Sequence, residues 1–331
     1  MEEQKKYVRR DITIKRLSAV YIERKRGKVK PSTLECYRRN IKCHILPEMG
    51  GYSVSDLTAE EINDYVGRLM EDYSPKLVRE IVTLLLAILR IAGINFTRQV
   101  TLPKVRQKAI EVFTEPELKQ LGQVILDRPD EMGMGVLLAA YTGIRLGELC
   151  GLQWRDVNAE TGMIHIQRTV GRIAQANGGT VLMIQPPKTE NSNRWVPVPQ
   201  ELLVVLDANH RRPEQYLLTS SETALDPRTC QNRYRALLEH CGVCYRSFHS
   251  LRHTYATRCI ERGVDAKSVS EMLGHSDVRT TLRLYVHSSM DYKRKAVERI
   301  GFLGEESLKL LQRHFVITLD GVGGAIEVRK S

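Results

Sequence analysis

Apolar positions along the chain recur mostly at three- and four-residue spacing, the period of helices that bury one face. Ile62, Tyr65, Val66 and Leu69 share such a face, and Thr58-Ala-Glu-Glu61 ahead of them has the form of a capping box. Ser74 and Pro75 supply an N-cap and a proline at the first helical position. The helix they open runs through Leu84-Leu85-Leu86-Ala87-Ile88-Leu89 and should stop at Gly93. Residues 12–26 and 32–45 also carry helical periodicity. Four helices thus predict a small α-helical domain over residues 1–97. From Gly93 to Thr114 the pattern weakens, and 98–112, with Arg98, Pro103, Lys104, Arg106 and Lys108, reads as a basic interdomain linker.

Thr114-Glu-Pro-Glu117 is a second capping box and opens another domain, over 113–300. Helices are expected at 115–127 and 131–141. The period then changes to two: Met163–Thr169 alternates, as does Val181–Ile184, and Arg194-Trp-Val-Pro-Val-Pro199 reads as an edge strand because its prolines cannot donate to a ladder. Tyr216–Thr219 is a candidate short strand, and the rest after Gln200 is mainly helical. The fold class is therefore mostly α, with an α+β second domain around a small antiparallel sheet. Helical pattern at 290–300 closes that domain and recurs at 305–314 in the tail, 301–331, before giving way to a segment that is either a glycine-turned hairpin or a loose end.

The chain has 331 residues, enough for two domains with cores of their own, and its 42% hydrophobic and 27% charged content is that of a globular protein. A formal charge of +11 suits a polyanion such as nucleic acid. The excess is uneven: residues 1–42 hold 14 Lys or Arg against 5 Asp or Glu, and 43–80 hold 3 against 8. The first two helices therefore look phosphate-facing. Arg38, Arg39 and Lys42 on the second are candidate DNA contacts, as are Lys104, Arg106 and Lys108 of the linker. No apolar run is long enough to span a bilayer and the N-terminus lacks a signal core, so no membrane association and a cytoplasmic location are expected. Seven cysteines without framework spacing fit a reducing compartment. Cys241 and Cys244 have the spacing of half a zinc site, but no second pair completes it, and no metal is expected.

Candidate chemistry lies in TGIRLGEL (142–149) and in HSLRH (249–253), LGH (273–275) and LYVH (284–287). A phosphodiester under nucleophilic attack gains charge on its non-bridging oxygens, which something fixed and cationic must meet. Arginine is always protonated and presents a planar fork of donors, so Arg145 and Arg252 are the candidate clamps. His249 lies one helical turn before Arg252, on the same face. His275 precedes a further helix. Either imidazole can donate to phosphate or move a proton. Tyr285 is the candidate nucleophile. Lys188, in the turn between two predicted strands, is the candidate general acid for the leaving oxygen. Glu148 or Asp156 is expected to orient Arg145, and His253 and His287 to be structural. Taken singly, each of these residues is commonplace.

Together, TGIRLGEL, HSLRHTYAT, LGH and LYVH resemble the tyrosine recombinase, or phage integrase, family in order and spacing, over roughly residues 12–300. The resemblance implies an active-site set of Arg145, Lys188, His249, Arg252, His275 and Tyr285. It implies a SAM-like helical core-binding domain and an α+β catalytic domain closing like a C-clamp on double-stranded DNA. It also implies a 3′-phosphotyrosine intermediate, strand exchange through a Holliday junction in a homotetramer, and no ATP, metal or other cofactor. Such a protein is a monomer or weak oligomer without DNA, integrates or excises a phage or other mobile element, and often works with an accessory directionality factor. Only about ten residues precede the first helix, which suits members without an arm-binding domain or a domain lying outside this sequence. Residues 290–314 are the candidate segment for exchange between protomers, and 315–331 for an extra regulatory or interface piece. Two other readings stay open: a type IB topoisomerase, which shares the chemistry but rejoins the same strand, and a DNA-binding protein without catalysis.

Overall fold

The computed structural model describes residues 12–105, 111–174, 179–187, 190–208, 211–285, 294, 297, 315–319 and 326–330, with backbone alone at the ends of several elements. Its residues group into two compact units. The first is Met1–Ala109 with Val170–Gln185, and the second is Ile110–Thr169 with Pro186–Ser331.

In the first unit, α1 (Ile14–Lys25) starts at Thr13, whose hydroxyl accepts from the Arg16 N–H. α2 (Pro31–Asn40) continues into a π-helical turn, Ile41–Ile45, and then α3 (Leu46–Met49). Sequence alone reads 32–45 as plain α-helix. The departure has a local reason, because Pro47 in the first turn of α3 lacks an N–H and its ring crowds the carbonyl four residues back. A widened turn just before it relieves that conflict. α4 (Ala59–Asp72) carries the capping box, with both its Thr58 and Glu61 halves formed. α5 (Pro75–Leu89) buries Val78, Ile81, Val82, Leu84, Leu85, Leu86, Ile88 and Leu89, and so is the central helix. It ends in a 3₁₀ turn at Gly93. One core joins it to Ile14, Leu17, Ile45, Ile62, Tyr65 and Leu69. Each such side chain taken from water contributes about 1.5–3 kcal/mol.

The second unit opens with α6 (Glu115–Asp127), again with a complete capping box. α7 (Glu131–Thr142) follows, capped by the Asp130 carboxylate on the Gly133 N–H at 2.6 Å. Then come α8 (Leu146–Cys150), β1 (Val157–Asn158) and β2 (Met163–Ile166). β3 (Thr169–Ala174) and β4 (Thr180–Gln185), which from Val170 on group with the first unit, pair among the described residues with each other, so β4 does not join the sheet of β2 and β5 (Arg194–Pro197). That sheet is antiparallel, in the order β1-β2-β5, with β5 at the edge and His165 opposite Trp195. The alternation read as one strand over 163–169 breaks at Gln167 and Arg168, whose side chains both turn to Asp156. Tyr216 forms isolated bridges with Gln153 and Ser221, not a strand.

α9 (Gln200–Ala208), α10 (Pro227–His240), α11 (His249–Glu261), α12 (Ala266–Leu273) and α13 (Arg279–Tyr285) complete this unit. α7 packs on both α10 and α11. At the tail β6 (Phe315–Leu319) and β7 (Ile326–Lys330) form the antiparallel hairpin. The helices expected over 290–300 and 305–314 fall largely outside the described residues. Among the described residues no helix is long and apolar enough to cross a membrane, and no cluster of His, Cys, Asp or Glu is disposed to hold a metal.

Candidate active site

The site is built on two helix ends. α7 closes at Thr142, and Gly143 turns the chain with φ of 65°. A side chain there is excluded twice over. The conformation disfavours a Cβ, and a Cβ would lie 2.6 Å from both Leu273 Cδ2 and Tyr255 Cδ1. Two residues on, Arg145 is the N-cap of α8. Its backbone N–H donates to Glu148 Oε2 at 2.9 Å and its Nη1 to Glu148 Oε1 at 2.7 Å.

The second end is the C-terminus of α12. Its last carbonyls have no partner within the helix and carry the negative end of the helix dipole. Three successive carbonyls each receive a different arginine. Met272 O accepts from Arg194 Nε at 2.6 Å, Leu273 O from Arg252 Nη2 at 2.6 Å, and Gly274 O from Arg145 Nη2 at 3.0 Å. Arg252 also donates through Nη1 to Gly143 O at 2.8 Å, tying the two helix ends together. Residues 109 positions apart in the chain meet there.

Arg252 is 3% exposed, and its pKa is lowered to about 9, by burial first and then by the charges of Arg145 and Arg194. It stays protonated at neutral pH. Glu148, 4% exposed, meets burial, which pushes its carboxyl up. The hydrogen bonds and charge of Arg194, then Arg145, outweigh that and hold it below its ordinary value. Three guanidinium groups therefore gather about one carboxylate, an excess of positive charge fit for an anion.

His249 begins α11 one turn before Arg252, its ring edge-on to His253 at 4.5 Å. Burial first, then His253, Arg252 and Arg145, lowers its pKa, although the residue keeps an open side to solvent that tempers the effect. His275 is half-buried and lowered to about 4 by burial and by Arg252 and Arg145. Its Nδ1 sits 2.8 Å from the Thr281 hydroxyl, which leaves Nε2 for a ligand. Both imidazoles are thus neutral at pH 7.

Of the residues singled out in the sequence, Arg145, Glu148, His249, Arg252 and His275 come together here. Asp156 does not join them. It is buried, but it accepts from the Gln153 N–H at 2.8 Å, Gln167 Nε2 at 2.7 Å and Arg168 Nη1 at 2.5 Å, fixing the bend after β2 instead of orienting Arg145. Tyr285 is the last residue of α13, and its side chain lies outside the described residues, as do Lys188, Arg106, Lys108 and His287. In the first unit, Arg38 pairs with Glu35 at 3.6 Å, and Arg39, Lys42 and Lys104 are exposed.

Sequence reasoning passed over Arg194, which lies buried in the cluster. Its signal was the phase of its strand. Arg194 and Val196 alternate with exposed Trp195, so the arginine falls on the apolar face.

Residues 111–291 match the model of the phage integrase family, and residues 13–70 match that of its N-terminal SAM-like domain. The chain belongs to the phage integrase family. Relatives bear the name tyrosine recombinase. One, XerC-like, from Caldanaerobacter subterraneus subsp. tengcongensis, is 34% identical over 59% of this chain, so that the match spans about half (54%) of that relative's length. Another, XerA from Pyrococcus furiosus, is 28% identical over 76% of this chain and 83% of its own. The integrase fold is shared with the Tn1549 transposon integrase solved with circular intermediate DNA. That match has a TM-score of 0.73 at 21% identity and covers 88% of this chain and all of the other. The lambda integrase tetramer bound to a Holliday junction matches with a TM-score of 0.62 at 18% identity, over 83% and 78%.

Proposed function

We propose that this phage integrase family chain is a site-specific DNA recombinase, one that cuts and rejoins duplex DNA through Tyr285 during integration or excision of a phage or other mobile element. The observation that carries the reading is the gathering of Arg145, Arg252, His249 and His275 from three separated segments around the end of α12. Such a set meets the requirement of a phosphoryl transition state for fixed cationic donors. Arg145 and Arg252 hold the non-bridging oxygens, and His275 donates a further hydrogen bond through Nε2. His249, neutral at pH 7, is able to take the Tyr285 proton as the phenol attacks phosphorus. The 3′-phosphotyrosine forms as the 5′ oxygen leaves, and Lys188 supplies the proton that this oxygen needs. Attack by the 5′ hydroxyl of a partner strand then releases the tyrosine, so bond energy is conserved and neither ATP nor metal is consumed.

Double-stranded DNA is the partner, bound with Arg38, Arg39, Lys42, Lys104, Arg106 and Lys108 on phosphates. A homotetramer exchanges strands in pairs through a Holliday junction. The domain limits that suit this scheme are 1–97 for core binding, 98–112 for the linker, 113–300 for catalysis and 301–331 for the tail. The test is covalent capture. The protein is expressed beside its native flanking DNA, cells are denatured, and protein-linked DNA is sequenced for the wild type and Tyr285→Phe. Sharp sites present only in the wild type are expected. An adduct in the phenylalanine variant would refute the nucleophile, and no adduct in either would refute the recombinase reading.

A further inference from the structure

Arg194 is a charged residue buried on the inner face of an edge strand, where a well-packed apolar side chain is often no worse for stability. Its contacts all lead to the site. Nη2 donates to Glu148 Oε2 at 3.0 Å and Nη1 to Glu148 Oε1 at 3.3 Å, a two-pronged grip. Nε donates to Met272 O at 2.6 Å, and Nη1 also reaches Ser192 O at 3.2 Å. The backbone is shaped to admit it: a Cβ on Gly274 would sit 3.0 Å from Nη1. The guanidinium thereby joins three elements, β5 by its own backbone, α8 through Glu148 and the end of α12 through Met272. Arg145 is bonded to that same Glu148 and to Gly274 O, two residues after Met272.

We propose that Arg194 is the positioning residue of the phosphate site, a fork that fixes Glu148 against the end of α12 and thereby sets the reach of Arg145 and His275 toward the scissile phosphate. This rests on the reading of the cluster as that phosphate site. Arginine is required because its planar fork spans two carboxylate oxygens and a carbonyl at once, while a lysine ammonium is a single point. The charged groups facing Glu148 are Arg194 from β5, Arg145 at the start of α8 and Arg252 from α11. Arg194 leads the forces that keep Glu148 ionised against its burial. Without it the carboxyl moves up, takes a proton more readily and loosens its hold on Arg145.

The test is a double-mutant cycle of Arg194→Met and Glu148→Gln in the full chain, with Arg194→Lys alongside. It is read as thermal midpoint, as affinity for the duplex site recovered by covalent capture, and as single-turnover cleavage of that duplex from pH 6 to 9. Arg194→Met should lower cleavage by about 100-fold, the scale expected when a donor is misplaced by about 1 Å, while affinity changes by no more than roughly threefold. On acidification its cleavage should start to fall at a higher pH than that of the wild type, because Glu148 takes a proton more readily, a difference that Glu148→Gln removes from the Met background. The two substitutions should be strongly non-additive in the midpoint. If Arg194→Met does not fold, Arg194→Lys carries the kinetic arm, with a partial loss expected.

Additive midpoints would overturn the proposal. So would a folded Met or Lys variant that cleaves like the wild type, or losses of cleavage and affinity in equal proportion. A wild type that forms no Tyr285-dependent adduct would sink both this proposal and the recombinase reading. An additive cycle beside an intact wild-type adduct would sink this one alone.

Discussion

Gly143→Ala perturbs the site without touching a polar side chain. Gly143 has φ of 65°, and the added Cβ would lie 2.6 Å from Leu273 Cδ2 and from a Tyr255 ring carbon. Left-handed backbone costs a non-glycine residue about 1–2 kcal/mol. Overpacking a filled site adds about 1–3 kcal/mol. The expected loss is therefore about 2–5 kcal/mol, or roughly 2–4 °C of melting temperature for each kcal/mol in a unit of this size. Gly242 is the internal control. It lies in the same unit with φ of 64°, but its nearest neighbour to a new Cβ is Gln120 Nε2 at an ordinary 3.7 Å. Gly242→Ala should show the backbone cost alone, about 1–2 kcal/mol. Function should separate the two further. The Gly143 carbonyl holds Arg252, and Arg145 follows two residues later, so cleavage by the Gly143 variant should fall by about 100-fold at near-constant DNA affinity. Calorimetry and single-turnover cleavage of both variants make the assay. A Gly143→Ala loss no larger than that of Gly242→Ala would refute the packing argument. Unchanged cleavage in a folded Gly143 variant would refute the link from this turn to the arginines.

Arg252→Ala should reduce cleavage by about 100- to 1000-fold, the usual effect of removing one transition-state donor. Equal losses of cleavage and DNA binding would make it a backbone anchor only. Lys188→Ala should be rescued by a 5′-bridging phosphorothiolate, whose sulfur leaves without a proton; absence of rescue would count against the general acid. His249, His253 and His275 all have lowered pKa values when folded, so the unfolded chain binds their protons first. The contribution of these imidazoles to stability should be flat from about pH 6.5 to 8, fall as pH drops below that and continue falling toward about 4. Thermal melts across that window should show a shallower slope for His275→Asn, and a rise in stability on acidification would contradict the assignment. Asp156→Ala breaks a buried pair with Arg168 and should cost about 3–5 kcal/mol of stability, with any loss of cleavage tracking the folded fraction.

The sequence by itself determined what depends on neighbours in the chain. The capping boxes at Thr58 and Thr114, the proline start at Pro75 and the stop at Gly93 are local chemistry, and they form as read. The spacing from His249 to Arg252 is likewise a property of one helix, and the motif set pointed to the family before any fold was known. What only the tertiary structure decided depends on chain reversals and long-range partners. The π turn at Ile41–Ile45 answers a proline conflict that periodicity averages away. Strand β4 chose its hairpin partner β3 over the sheet of β2 and β5, because alternation says which face is apolar but not which strand lies alongside. Glu148 and Asp156 look alike as acids downstream of Arg145. One is gripped by Arg145 and Arg194 and the other by Arg168, a choice made by how α8, β2 and β5 pack. Arg194 entered the site for the same reason. Its burial was readable from the phase of its strand, but the carbonyls of Met272 and the carboxylate of Glu148 that complete its bonds come from positions 78 and 46 residues away, which only the fold brings within hydrogen-bond reach.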